Sequence, residues 1–97
     1  MLEKQLYKSF GTLVSEKRRR AKLTQHDLAQ ALGLSRASVA NIERGKQPIQ
    51  LHSIFKIASV LHVDVRELIP TLEHEVGSMQ IREWLDRIQT PSRDGLL

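Results

Sequence analysis

The chain contains no cysteine. That excludes a disulfide scaffold, a cysteine-ligated zinc site, an iron–sulfur cluster and a thiol nucleophile. It also lacks a long uncharged apolar run, and no apolar stretch follows Met1-Leu2-Glu3-Lys4-Gln5. Both facts argue against secretion and membrane spanning, and a reducing cytoplasm is the expected location. Aromatics are scarce. Tyr7, Phe10, Phe55 and Trp84 are the only four, and three lie in or beside apolar stripes. A stacking platform for single-stranded bases is therefore not expected. No two glycines form a Gly-x-Gly pair, and there is no Gly-Lys-Ser/Thr run, so no phosphate-cradling loop is visible. His26, His52, His62 and His74 lack metal-binding spacing. Ser35 and Ser38 do not sit on a strand-to-helix elbow. The expectation is a protein that is not an enzyme and uses no cofactor and no metal.

What is present is an uneven charge distribution. Residues 1–46 hold ten Lys/Arg and four Asp/Glu, a balance of +6, whereas residues 47–97 hold five and seven, a balance of −2. The densest basic run is Lys17-Arg18-Arg19-Arg20-Ala21-Lys22. A basic half on a small chain suggests a polyanion partner such as nucleic acid, although a solvated helix face would show the same run.

Apolar periodicity is helical throughout, and nothing alternates with period two. Leu6, Phe10, Leu13 and Val14 fall at i, i+4, i+7 and i+8 and predict a first helix over about 3–21. Its basic end suits the negative pole of the helix dipole. Thr24 is a suitable N-cap for a second helix, Gln25 to Leu32, that buries Leu28, Ala29 and Leu32 and stops at Gly33. Ser35 opens a third, over about 36–44, with Val39 and Ile42 as its apolar edge and Gly45 and Pro48 beyond. Ile54, Phe55, Ala58 and Leu61 predict a fourth over about 51–62. Asp64 caps a short fifth carrying Val65, Leu68 and Ile69, which Pro70 stops.

Two short helices joined by a glycine turn form a helix-turn-helix pattern. Ala29 is small where the two must cross, a side chain at Gly33 would strain the turn, and a polar group at Val39 or Ile42 would be buried without a partner. The runs Leu23-Thr24-Gln25, Leu28-Ala29, Gly33-Leu34-Ser35 and Ile42-Glu43-Arg44-Gly45 resemble the lambda-repressor/Cro-type helix-turn-helix family. Leu51 to Leu68 is similar to the last two helices of that five-helix domain. The resemblance spans residues 6–69. It implies an all-α fold: a five-helix DNA-binding domain over 1–70, followed by a tail over 71–97.

The resemblance also implies roles. In this family the second helix of the motif enters the major groove of double-stranded DNA and presents its N-terminal residues to base edges. With Val39 and Ile42 turned inward, the outward positions are Ser35, Arg36, Ala37, Ala40, Asn41 and Arg44. Arg36 suits guanine O6 and N7, Asn41 suits adenine N6 and N7, and Ala37 fits against a thymine methyl. Each has a plainer reading as an ordinary surface residue. Gln25 is implied as a phosphate contact at a helix N-terminus. Ser38, Arg44 and Lys46 are further phosphate candidates, and the Arg18 to Lys22 cluster would supply long-range attraction. Glu43 is an anion on a DNA-facing helix. The family pairs it with an arginine of the first helix, and Arg18 occupies that position, so an Arg18–Glu43 fork is implied.

Beyond Pro70, Ser78 caps another stripe of Ile81, Trp84, Leu85 and Ile88, a helix over about 78–90 closed by Pro91. Arg82, Glu83, Asp86 and Arg87 occupy its other face. Such a stripe must dock, either against the fourth and fifth helices or across a two-fold axis with Trp84 as anchor. The homodimer is the expectation, since two copies would then read a palindromic operator. The leading function is a sequence-specific DNA-binding transcriptional regulator. An antitoxin-type module that holds a protein partner through this helix and binds DNA secondarily is the alternative.

Overall fold

A computed structural model describes residues 2–71. The helix expected over 78–90, with Ile81, Trp84, Leu85 and Ile88, lies outside the described residues. Within them the fold is all-helical, with no strand. Four α-helices run in order: α1 (Leu2–Arg20), α2 (Gln25–Leu32), α3 (Arg36–Glu43) and α4 (Leu51–Leu61). The expected fifth helix is instead one turn of 3-10 helix, Val65–Leu68. Only five residues separate its Asp64 cap from Pro70, and the residue before a proline is biased to extended backbone. Ile69 duly sits at φ −93°, ψ 119°, so the segment ends before an α-helical turn can propagate.

The helix boundaries follow local chemistry. Thr24 accepts from the Asp27 backbone N–H while the Asp27 carboxylate accepts from the Thr24 backbone N–H, a reciprocal capping box. Those hydrogen bonds, the backbone one first, hold the Asp27 carboxyl below its usual range. Gly33 takes the left-handed conformation at φ 71° and closes α2. Ser35 caps α3 by accepting from the Ser38 backbone N–H. Lys22 and His62 also adopt positive φ, 61° and 57°, so α1 and α4 end on left-handed residues that carry side chains.

The core is one cluster: Phe10 and Val14 of α1, Leu28, Ala29 and Leu32 of α2, Val39 and Ile42 of α3, Ile57, Ala58 and Leu61 of α4, and Leu68. Phe55 departs from expectation. It is 55% exposed, and Ile57 takes the buried place on α4. Ile54, Ile57, Ala58 and Leu61 share one face at i, i+3, i+4 and i+7, and Phe55 sits about 100° round the helix from Ile54. Ile54 packs at the edge of the core, leaving Phe55 in solvent beside the 71% exposed Leu51.

Gly11 fixes how α1 lies on α3. It is buried, and a methyl group there would stand 2.5 Å from the Glu43 carbonyl oxygen and closer still to that of Ile42. The backbones of α1 and of the end of α3 meet at a place with no room for a side chain. A Gly11→Ala substitution therefore separates two physical effects. Helix propensity alone would raise stability by up to about 1 kcal/mol. The steric conflict with two carbonyls should instead lower it by roughly 1–3 kcal/mol, read as a fall in the denaturant midpoint. A rise would mean that α1 and α3 do not approach this closely.

Candidate nucleic-acid interface

Helix α3 is held from behind and open in front. Val39 and Ile42 are buried at 1% and 4% exposure. Ser35, Arg36, Ala37 and Arg44 are exposed, and Ser38, Ala40 and Asn41 are half-buried along the same outer side. Lys46 is exposed in the loop beyond. That loop is also held close to α1: Gly45 sits at φ 69°, and a Cβ on it would run into the Lys8 backbone. A helix presented in this way, N-terminal residues outward and apolar edge locked, has the dimensions to enter a major groove.

The rear attachment is ionic. Arg18 Nε donates to Glu43 Oε2 at 2.7 Å and Nη2 donates to Oε1 at 3.1 Å, a two-pronged fork. Arg18 Nη1 also donates to the Leu23 carbonyl at 2.9 Å, tying the turn between α1 and α2 to the same guanidinium. Only 9% of the Arg18 side chain and 5% of the Glu43 side chain are exposed. The hydrogen bond to Glu43 outweighs desolvation and raises the Arg18 pKa, so the guanidinium stays charged. The carboxylate that would face phosphates is thus turned inward and neutralised.

Gln25 and Asn41 are less free than base or phosphate contacts would be. Gln25 Nε2 donates to Glu43 Oε1 at 3.0 Å, and Gln25 Oε1 accepts from Arg36 Nη1 at 3.2 Å. Each end of this amide makes one hydrogen bond, which leaves one N–H of Nε2 and one carbonyl lone pair. Asn41 Oδ1 accepts from Arg44 Nη2 at 2.8 Å, leaving one carbonyl lone pair and the NH₂ group for a base. The Ser38 hydroxyl accepts from the Ser35 hydroxyl at 3.1 Å. The basic run divides as well. Arg18 serves Glu43, and Lys17 donates to Glu67 at 3.3 Å with only 16% of its side chain exposed. Arg19, Arg20 and Lys22 are the exposed cations there.

Three features escaped the reading of sequence. The Gly11 contact had a signal, because an isolated glycine inside a helical pattern costs about 1 kcal/mol and marks close packing. The Gln25 bridge and the Lys17–Glu67 pair had none, since each joins residues far apart in the chain. Among the described residues no group of histidines and carboxylates could hold a metal, and no helix is long and apolar enough to cross a membrane.

This arrangement defines the class of protein: an all-α helix-turn-helix fold, its second motif helix presented outward. Comparison with known proteins agrees. A family model described as helix-turn-helix matches residues 14–68, more than half of the chain, and the chain belongs to that family, of the lambda-repressor/Cro type. The ImmF control region 10 kDa protein of Bacillus phage phi105 is 33% identical over 61 residues, 63% of this chain and 68% of that protein. An HTH-type transcriptional regulator of Methanocaldococcus jannaschii is 44% identical over 46 residues, 47% of this chain and 70% of that one. Among solved structures, the restriction-modification controller protein C.AhdI from Aeromonas hydrophila matches with a TM-score of 0.65 at 35% identity. That match covers 68% of this chain and 96% of C.AhdI. DNA binding of the transcriptional-regulator kind is the function that goes with this membership.

The buried fork generates a prediction. Arg18→Met or Glu43→Leu alone leaves one buried charge without its partner and should destabilise the protein by roughly 3 kcal/mol or more. The double variant should cost much less than the sum, because two apolar groups can fill the space. A double-mutant cycle in urea measures the coupling, and additive losses would make the two residues independent.

Proposed function

We propose that the protein is a sequence-specific regulator, not an enzyme, that reads a palindromic operator in double-stranded DNA as a homodimer. The observation that carries this reading is the outward face of α3, which sets Arg36, Ala37 and Asn41 on one side of a helix locked by Val39, Ile42 and the Arg18–Glu43 fork. Arg36 takes guanine through two of its N–H groups, Asn41 takes adenine, and Ala37 lies against a thymine methyl. Ser38, Arg44 and Lys46 contact phosphates and set register. At the start of α2 a phosphate is met by the second Nε2 N–H of Gln25 together with the free backbone N–H groups around it, the first Nε2 N–H being bonded to Glu43. Arg19, Arg20 and Lys22 add attraction at longer range. The phage control-region and controller proteins that the chain resembles lend weight to a repressor or controller role.

Base and phosphate roles separate by experiment. Arg36→Ala should cost roughly 1–3 kcal/mol on the preferred site and relax preference at one base pair per half-site. Lys46→Ala should weaken all sequences alike. Gel-shift titrations against the preferred site and single-base variants of it decide. An unchanged base preference in Arg36→Ala removes Arg36 from base reading.

The homodimer rests on the apolar stripe Ile81, Trp84, Leu85 and Ile88 of the tail. A chain ending at Gly77 should sediment as a folded monomer and bind a palindromic site much more weakly. A tight dimer from that shortened chain would exclude the tail as the dimerisation element. Unfolding would mean that the tail docks within its own chain.

A further inference from the structure

Three exposed lysines converge where α1 meets the loop after α3. Lys4 and Lys8 stand about one turn apart on α1, and Lys46 follows Gly45 in the loop. The contact between the two segments has no slack: a Cβ on Gly45 would stand 2.6 Å from the Lys8 backbone nitrogen. Lys8 and Lys46 are therefore neighbours across a backbone-to-backbone contact. An open groove runs beside it, with Lys4, Tyr7, Lys8, Arg44 and Lys46 on its lining and Glu3 as the one carboxylate there. Four cations face one anion.

Other basic side chains of the protein have found acids. Lys17 pairs with Glu67, Arg18 with Glu43 and Arg66 with Asp64. Among the described residues, Lys4, Lys8 and Lys46 have no carboxylate partner. Two of these placements are unfavourable in the protein alone. Lys4 lies in the first turn of α1, at the positive pole of the helix dipole. Lys4 and Lys8 are also like charges at i and i+4, which repel. A polyanion laid along the groove reverses both effects. This stretch lies outside the matched helix-turn-helix region, which starts at residue 14, whereas α1 starts at Leu2, twelve residues earlier.

We propose that Lys4 and Lys8 hold DNA backbone phosphates adjoining those met by Arg44 and Lys46, so that the first two turns of α1 prolong the phosphate contact of the loop after α3. The inference rests on the DNA-binding reading above and adds a second element to it. An ammonium group is a compact point charge that takes phosphate oxygens without carrying base information. The Gly45 contact gives both lysines a set position relative to α3. They contribute to affinity and to its salt dependence, and they leave base preference to α3.

The test compares the full chain with Lys4→Gln/Lys8→Gln. Two duplexes are used over a series of salt concentrations, one enriched from a random pool and one of unrelated sequence. Both lysines are exposed, so the variant should melt with the unaltered protein. Each lysine lost should lower the slope of log affinity against log salt by about 0.9 per bound protomer, on both duplexes. The ratio of the two affinities should not change, and Lys4→Arg/Lys8→Arg should keep the original slope. Duplexes with a single neutral methylphosphonate then separate contact from long-range attraction. Next to the positions that Lys46→Ala identifies, the methylphosphonate should weaken the unaltered protein and leave Lys4→Gln/Lys8→Gln unaffected. An unchanged slope overturns the inference. So does a lowered slope when every methylphosphonate weakens the variant as much as the unaltered protein, which would make the lysines a distant field only. A lowered affinity ratio would give them a part in base preference and overturn it too. If the unaltered protein binds neither duplex, DNA binding itself fails and the inference falls with it. Selective binding that ignores the two lysines overturns the inference alone.

Discussion

The buried fork between Arg18 and Glu43 is the interaction on which the presentation of α3 depends. Burying two charges is costly, and attraction offsets that cost only when geometry is good and the remaining polar atoms are satisfied. Here both conditions hold. The carboxylate accepts two N–H groups from Arg18 and one from Gln25, and the third nitrogen of Arg18 donates to the Leu23 carbonyl. One guanidinium therefore joins the end of α1, the turn into α2 and the end of α3. Gly11 makes this possible at backbone level by letting α1 approach the last residues of α3 without a side chain between them. Helix α3 is eight residues long and would not hold its shape alone. Its orientation comes from these contacts and from Val39 and Ile42 beneath it.

Electrostatics around this helix follow from the same pair. A negative charge on a DNA-facing element would repel phosphate, and Glu43 avoids that by turning inward to an arginine that stays charged. The basic run after residue 16 is correspondingly less available than its composition suggests. Two of its five cations, Lys17 and Arg18, are matched by carboxylates of the protein, and Arg19, Arg20 and Lys22 carry its outward field. Counting charges locates the basic half of the chain, whereas pairing decides how much of it a partner can feel.

Much of the fold was legible because its signals are local. Thr24 and Ser35 announce helix starts, Gly33 announces the turn, and spacing of three and four residues picks out Phe10, Val14, Leu28, Leu32, Val39 and Ile42. At Phe55 helical phase outweighs hydrophobicity. Ile57 completes a cleaner face with Ile54, Ala58 and Leu61, and an aromatic one position off that face stays in solvent. Lys22 and His62 end their helices without glycine, yet the apolar stripes alone put those ends, at about 21 and 62, within one residue of where they fall. The fifth helix shrank to a 3-10 turn because the distance from Asp64 to Pro70 is too short. At the interface, residue types identified the outward row on α3 and, through family resemblance, the partner of Glu43. The hydrogen bonds that tie Gln25 to Arg36 and Asn41 to Arg44 depend on side-chain rotamers in the folded state, which no spacing rule reports.

On the proposed function, a helix held from behind by a buried ion pair reads base edges in duplex DNA. Selection of bound duplexes from a random pool by the intact protein tests it most directly. The expected result is enrichment of one motif with guanine and adenine at defined positions, arranged as two inverted half-sites about one helical turn, ~10 base pairs, apart from centre to centre. A pool that is retained without any enriched sequence would contradict it.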